Sequence, residues 1–298
     1  MIVLTFLALL VVVVAWRTLW RRHVERAVAA RLHPGPDGVV PGAGSIVLPE
    51  SRTGSAVLLL HGFGDTPQSL GYLAAALHGR GYAVHAPLLP GHGRTLAAFR
   101  ASRGAQWIDA ARDALNELRT RYERVGVVGL SMGGALAAIV AAERDDIPAL
   151  ALLAPYLAPP PAVRLFARAA WPLGFVLPYL YGRNAKSIHD AAERARGLGY
   201  GACTPRLIAE LVGVADRARA LLPAVSAPTL YVQSREDNRL TAAGAMRAFQ
   251  ALGTVEKRLE WVAGCGHVIT VDYGRERVSE LVLAWMDARI RREYASAG

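Results

Sequence analysis

A mainly parallel α/β sheet with helices on both faces is the architecture this sequence predicts, and three observations carry the prediction. Strand-like apolar runs alternate with helix-like segments from about residue 45 onward, the pattern of a sheet built by crossover connections. At one junction, Val127-Val128-Gly129-Leu130-Ser131-Met132-Gly133-Gly134, a valine-rich run passes into a helix through Gly129-x-Ser131-x-Gly133. The remaining candidates for chemistry fall on glycine-bearing loops after strands, where such sheets carry their working groups.

The first segment stands apart. Met1 to Trp16 is apolar except for Thr5, and Arg17, Arg21, Arg22, Arg26 and Arg31 follow, interleaved with Trp16 and Trp20. A secretory signal would place its charge before the apolar core, so this order favours a retained helix with an interfacial tryptophan belt. Residues 1–20 are therefore expected to form a membrane anchor. By the positive-inside rule the body then lies in the cytoplasm. Residues 21–44, basic and then rich in proline and glycine (His33-Pro34-Gly35-Pro36-Asp37-Gly38, Pro41-Gly42), read as a linker.

The body, residues 45–298, opens with strands at Ser45 to Leu48 and Ala56 to Leu60. A helix is expected at Pro67 to Arg80, a strand at Tyr82 to Leu88, a helix at Gln106 to Tyr122 and the Val125 strand. After the Gly133 helix comes a strand at Leu150 to Ala154. The last elements are Thr229 to Gln233 (strand), Ala242 to Leu252 (helix), Lys257 to Val262 (strand) and Glu276 to Tyr294 (helix). The interruption at about 155–222 begins with Pro159-Pro160-Pro161 and then carries Phe166, Trp171, Phe175, Tyr179 and Tyr181. It reads as a helical cap whose aromatics either wall an apolar pocket or pack onto the core.

Composition excludes several classes. Hydrophobic content of 53% rules out wholesale disorder. Two cysteines, Cys203 and Cys265, make neither a disulfide framework nor metal-ligand spacing. The net charge of +10 comes from scattered arginines, with Lys186 and Lys257 the only lysines, and no nucleic-acid-binding pattern accompanies it.

The chemistry is read from Ser131 outward. The spacing is that of a nucleophile elbow, a turn so tight that side chains two places either side of the serine would collide. Ser131 would project above the sheet, and the Met132 N–H at the helix start would face a developing negative charge. His61-Gly62-Phe63-Gly64-Asp65 follows the Ala56 strand, so the Phe63 N–H is the candidate second oxyanion donor, with His61 orienting the loop. Of eight histidines, His267, in Gly264-Cys265-Gly266-His267-Val268, follows the last strand and suits the order Ser…Asp…His. The orienting acid is expected in Ser234-Arg235-Glu236-Asp237-Asn238, at Asp237 with Glu236 as competitor.

On these motifs, with Pro90-Gly91-His92-Gly93, Ala227-Pro228-Thr229 and Gly266-His267-Val268-Ile269-Thr270, the chain resembles the α/β-hydrolases. The bacterial carboxylesterase and monoacylglycerol-lipase-like group is the nearest. The resemblance implies a serine hydrolase acting on carboxylic esters, short- or medium-chain or monoacylglycerol-like, without metal or organic cofactor. Its partners would be a small ester or lipid substrate and the membrane, not nucleic acid. The same elbow also serves thioesterases and amide or peptide hydrolases. A silent hydrolase fold acting as a membrane-bound interaction module is the non-enzymatic alternative.

Overall fold

The computed structural model describes residues 2–182 and 185–290. Met1, two cap residues at 183–184 and the expected end of the last helix at 291–294 lie outside the described residues. In chain order the elements begin α1 (Ile2–Ala29), β1 (Ile46–Leu48), β2 (Ser55–Leu60), α2 (Gly71–Gly79), β3 (Ala83–Ala86), α3 (Leu96–Ala101), α4 (Gly104–Arg119), β4 (Arg124–Leu130), α5 (Met132–Ala142) and β5 (Leu150–Leu153). The segment between β5 and the next sheet strand holds α6 (Pro161–Arg168), α7 (Ala170–Val176), β6 (Leu180–Tyr181), α8 (Ala191–Arg196), β7 (Ala202–Cys203) and α9 (Pro205–Leu221). The chain closes with β8 (Thr229–Ser234), α10 (Ala242–Ala251), β9 (Lys257–Val262) and α11 (Arg275–Ile290).

Seven strands form one sheet in the order β1-β3-β2-β4-β5-β8-β9. Among the described residues of this sheet, only β1 runs antiparallel, at the edge against β3, and the other pairings are parallel. This is the α/β-hydrolase fold with a mostly parallel sheet. The central strands β2, β5 and β8 are buried along their whole length, as continuous apolar runs must be when helices cover both faces. Alternation sorts their side chains by face. Ala56, Leu58 and Leu60 pack with Val125, Val127 and the alanine-rich α5. Val57 and Leu59 face the other way, toward α2 and the Val278, Val282 and Met286 face of α11.

The N-terminal helix corrects an expectation. α1 runs unbroken for 28 residues, through the arginines and into the stretch read as linker. Among the described residues, no helix is long and apolar enough to cross a membrane. Arg17, Arg21, Arg22 and Arg26 interrupt the apolar face of α1, and a bilayer needs about 20 consecutive apolar residues. The membrane anchor, and the cytoplasmic orientation deduced from it, therefore lose their support.

The second half of α1 docks on the body instead. Val24, Val28 and Leu32 are buried, and Trp20 Nε1 donates to the Tyr179 carbonyl at 3.0 Å. Arg31 donates to the carbonyls of Gly197, Gly199 and Tyr200 at 3.2, 2.6 and 2.9 Å. Trp20, expected at a lipid interface, is turned toward the segment between β5 and β8. The proline- and glycine-rich stretch also lies against the body, with Val40 and Ala43 buried and Val40 N donating to Gly93 O at 2.7 Å.

Candidate active site

The strand-to-helix junction after β4 is built by exclusion of side chains. A Cβ on Gly129 would lie 2.1 Å from Gly133 O, and one on Gly133 would lie 1.9 Å from Leu60 O. No residue but glycine fits either place. Between them Ser131 is forced to φ 55°, ψ −116°, and with Ala154 it is one of two non-glycine residues at positive φ among those described. Such backbone costs of order 1–3 kcal/mol and persists only where its surroundings hold it. Here Ser131 N donates to Leu153 O, and Ser131 O accepts from Tyr156 N, both at 2.9 Å.

The loop after β9 brings His267 over this hydroxyl. His267 Nε2 lies 2.8 Å from Ser131 Oγ, and Nδ1 lies 2.8 Å from Asp237 Oδ2. A carboxylate only accepts, so Nδ1 carries the proton and Nε2 accepts from the serine hydroxyl. The imidazole is nearly enclosed, and the Asp237 side chain is 1% exposed. Burial alone would raise the Asp237 carboxyl. The His267 hydrogen bond and charge, with the N–H groups of Arg239 and Leu240, outweigh that and hold it below the ordinary carboxylate value. Those two amides reach Oδ1 at 2.7 and 3.0 Å.

Glu236, the competing acid, is turned away. Its Oε1 accepts from Gly264 N at 2.8 Å, and Oε2 lies 3.6 Å from His189 Nδ1.

The loop after β2 runs beside the serine, for a Cβ on Gly62 would sit 3.5 Å from Ser131 Cβ. This brings the Phe63 peptide to the same end of the sheet as Met132. Met132 opens α5, so its N–H is among the helix donors that have no partner within the helix. His61 braces the loop. Its ring is wholly buried, Nδ1 donates to Gly62 O at 2.9 Å and Nε2 accepts from Leu89 N at 3.1 Å. Burial pushes its pKa down to about 4, so the ring is neutral and fully occupied, which suits a brace and not a base. The Phe63 ring packs tilted against Phe99 and edge-on against Trp107, with centroids at 5.1 and 5.8 Å. Asp65, two residues on, is pushed up to about 6 by burial, against the opposing pull of Ser69, the Thr66 backbone and His267.

Two neighbours escaped the sequence reading. Gln233, at the end of β8 and 1% exposed, donates through Nε2 to Asp237 Oδ2 at 2.7 Å. Asp272 is wholly buried and accepts from Gly266 N, next to His267, at 2.8 Å. Gln233 is one of three polar residues in β8, with Thr229 and Ser234, so its place in the strand gave no signal of its own. Asp272, just before α11, reads in sequence as an ordinary helix-start acid.

Comparison with known proteins places the chain in a family. Residues 51–273 match the family described as serine aminopeptidase, S33 (Hydrolase_4). The chain is 31% identical over 228 residues to a thermostable monoacylglycerol lipase of Bacillus sp. (strain H-257), covering 75% of this chain and 87% of that protein. It is 26% identical over 235 residues to a carboxylesterase of Bacillus subtilis (strain 168), covering 78% and 92%. Among solved structures, one from work on two metagenome-derived lipolytic enzymes superposes with a TM-score of 0.76 at 30% identity. It covers 84% of this chain and 99% of that one.

Proposed function

Because the chain belongs to this serine aminopeptidase S33 family of α/β-hydrolases and is a carboxylic ester hydrolase, we propose that Ser131, His267 and Asp237 form its catalytic triad. The observation that carries the reading is the unbroken relay of 2.8 and 2.8 Å contacts ending on a serine held in a strained elbow. In the first step Ser131 Oγ attacks the ester carbonyl carbon while His267 Nε2 takes its proton. Asp237 holds the tautomer and stabilises the imidazolium. The N–H groups of Phe63 and Met132 receive the oxyanion, each such donor being worth about 3 kcal/mol of barrier. Imidazolium then protonates the leaving alcohol, the acyl group stays on Ser131, and water repeats the sequence to release the acid.

The substrate class we propose is short- or medium-chain esters, including monoacylglycerol-like ones. The lipase and carboxylesterase relatives support it. The test compares wild type with Ser131→Ala, by fluorophosphonate labelling and by hydrolysis of a p-nitrophenyl ester chain-length series and a monoacylglycerol. Labelling and turnover are expected only with the serine present. Equal labelling of both proteins would refute the nucleophile assignment. The family's description also favours an amide reading, and faster cleavage of an aminoacyl p-nitroanilide than of any ester would establish that instead.

A further inference from the structure

A carboxylate enclosed by protein is costly unless its oxygens are met by donors. Asp272, with 0% exposure, has four backbone donors. Oδ2 accepts from His189 N and Gly266 N, each at 2.8 Å. Oδ1 accepts from Asp190 N at 2.9 Å and Tyr273 N at 3.0 Å. The donors come from three places: the segment between β5 and β8, the loop that carries His267, and the approach to α11.

A second set of contacts joins the first two places. Val268 N donates to Ser187 O at 2.9 Å. A Cβ on Gly266 would lie 2.4 Å from Lys186 O and 2.7 Å from Ser187 C. The Ser187 hydroxyl also lies 3.2 Å from Asn238 Oδ1 and accepts from Arg239 Nε at 3.3 Å. Segment 186–190 thus crosses both the loop of Asp237 and the loop of His267. The peptides on either side of His267 are anchored, one to Asp272 and the other to Ser187.

We infer that Asp272 is a positioning residue, clamping the Gly266-His267-Val268 loop to segment 187–190 so that the imidazole stays in line between Ser131 and Asp237. The inference rests on the proposed role of His267 as the base. Its physical content is registration. A displacement of about 1 Å in a reacting group costs about 100-fold in rate, and the side-chain bonds of His267 alone leave its backbone free to shift. With both flanking amides tied, the loop has one place to sit.

Asp272→Asn tests this in the full chain. The amide keeps one accepting oxygen but turns its NH2 toward two backbone donors. For p-nitrophenyl butyrate, kcat is expected to fall about 10- to 100-fold, with KM within about threefold because substrate binding is untouched. Fluorophosphonate labelling of Ser131 should slow by a similar factor, and the downfield proton resonance of the His267 Nδ1–H should broaden or vanish. Leu118→Ala, a buried change on α4, is the control for lowered stability and should keep wild-type kcat and resonance. An Asp272→Asn enzyme that melts lower yet retains both kcat and the resonance would overturn the inference, leaving the Ser131→Ala result to judge the triad separately. Amide exchange in wild type gives an independent check if the variant does not fold. Gly266, His189 and Asp190 should exchange as one unit, and much faster exchange at the latter two would also overturn the clamp.

Discussion

Gln233→Met separates electrostatics from architecture at the candidate site. Gln233 Nε2 shares Asp237 Oδ2 with His267 Nδ1, at 2.7 and 2.8 Å, while its Oε1 is buried without a hydrogen-bond partner among the described residues. Methionine has nearly the same shape and neither polar group. It forfeits a hydrogen bond to a charged group, worth about 1.5–3 kcal/mol, and removes an unpaired buried carbonyl that costs about 1–3 kcal/mol. Stability should therefore change little. The carboxylate stays in place through Arg239 N and Leu240 N on its other oxygen. What changes is its charge environment: with one donor gone, Asp237 becomes a stronger acceptor and favours the protonated imidazole more. If about a third of a ~2 kcal/mol interaction is transmitted, the acid limb of kcat/KM moves up by about 0.5 pH unit. The assay is p-nitrophenyl butyrate hydrolysis from about pH 4.5 to about pH 9, with thermal melts in parallel. A limb that moves down, or stays fixed while the melting temperature collapses, would refute the reasoning.

Two further outcomes follow from the same geometry. Gly133→Ala, whose Cβ would meet Leu60 O at 1.9 Å and His61 O at 2.7 Å, should lose at least about 3 kcal/mol of stability or fail to accumulate; Gly213→Ala on α9, with open space around its Cβ, should match or exceed wild type in thermal melts. His61, held down at about 4 against a usual 6.5, binds fewer protons folded than unfolded between those values, so stability is lost as pH falls from about 6.5 to about 4. That amounts to at most about 3 kcal/mol, most of it offset by Asp65, whose raised value of about 6 against an ordinary 3.8 gives the opposite slope over nearly the same window. Urea midpoints at pH 7 and pH 4.5 should therefore show the decline in Asp65→Asn, where that offset is gone, and adding His61→Gln should flatten it.

Legibility from sequence tracked how local the physical constraint was. The elbow is readable because sterics alone demand glycine at positions 129 and 133. The strands β2, β4, β5 and β8 are readable because burial on both faces leaves an uninterrupted apolar run. Ser131, Asp237 and His267 could be singled out because each follows a different strand. Other features depend on contacts between distant segments. Whether α1 ends at residue 20 or 29 is decided by the surface that receives Val24 and Val28, which no local pattern reveals. Gln233 and Asp272 look ordinary in sequence, since Gln233 gains its meaning from an Asp237 oxygen shared with His267 on another loop, and Asp272 from the amides of His189 and Asp190, 83 and 82 residues earlier. The small β6–β7 ladder, Leu180 and Tyr181 against Cys203 and Ala202, is too short to leave a periodic trace.

The docking of α1 bears on how a shortened chain should be cut. Tyr179 and Tyr200 are enclosed partly because Trp20, Glu25 and Arg31 reach across to them, Glu25 meeting the Tyr179 hydroxyl at 3.0 Å. Trimming before Trp16 removes exposed leucines and valines and leaves that brace whole. Trimming at Gly44, in the proline- and glycine-rich stretch, would take away Trp20, Glu25 and Arg31 and with them every one of these bonds to Tyr179, Gly197, Gly199 and Tyr200.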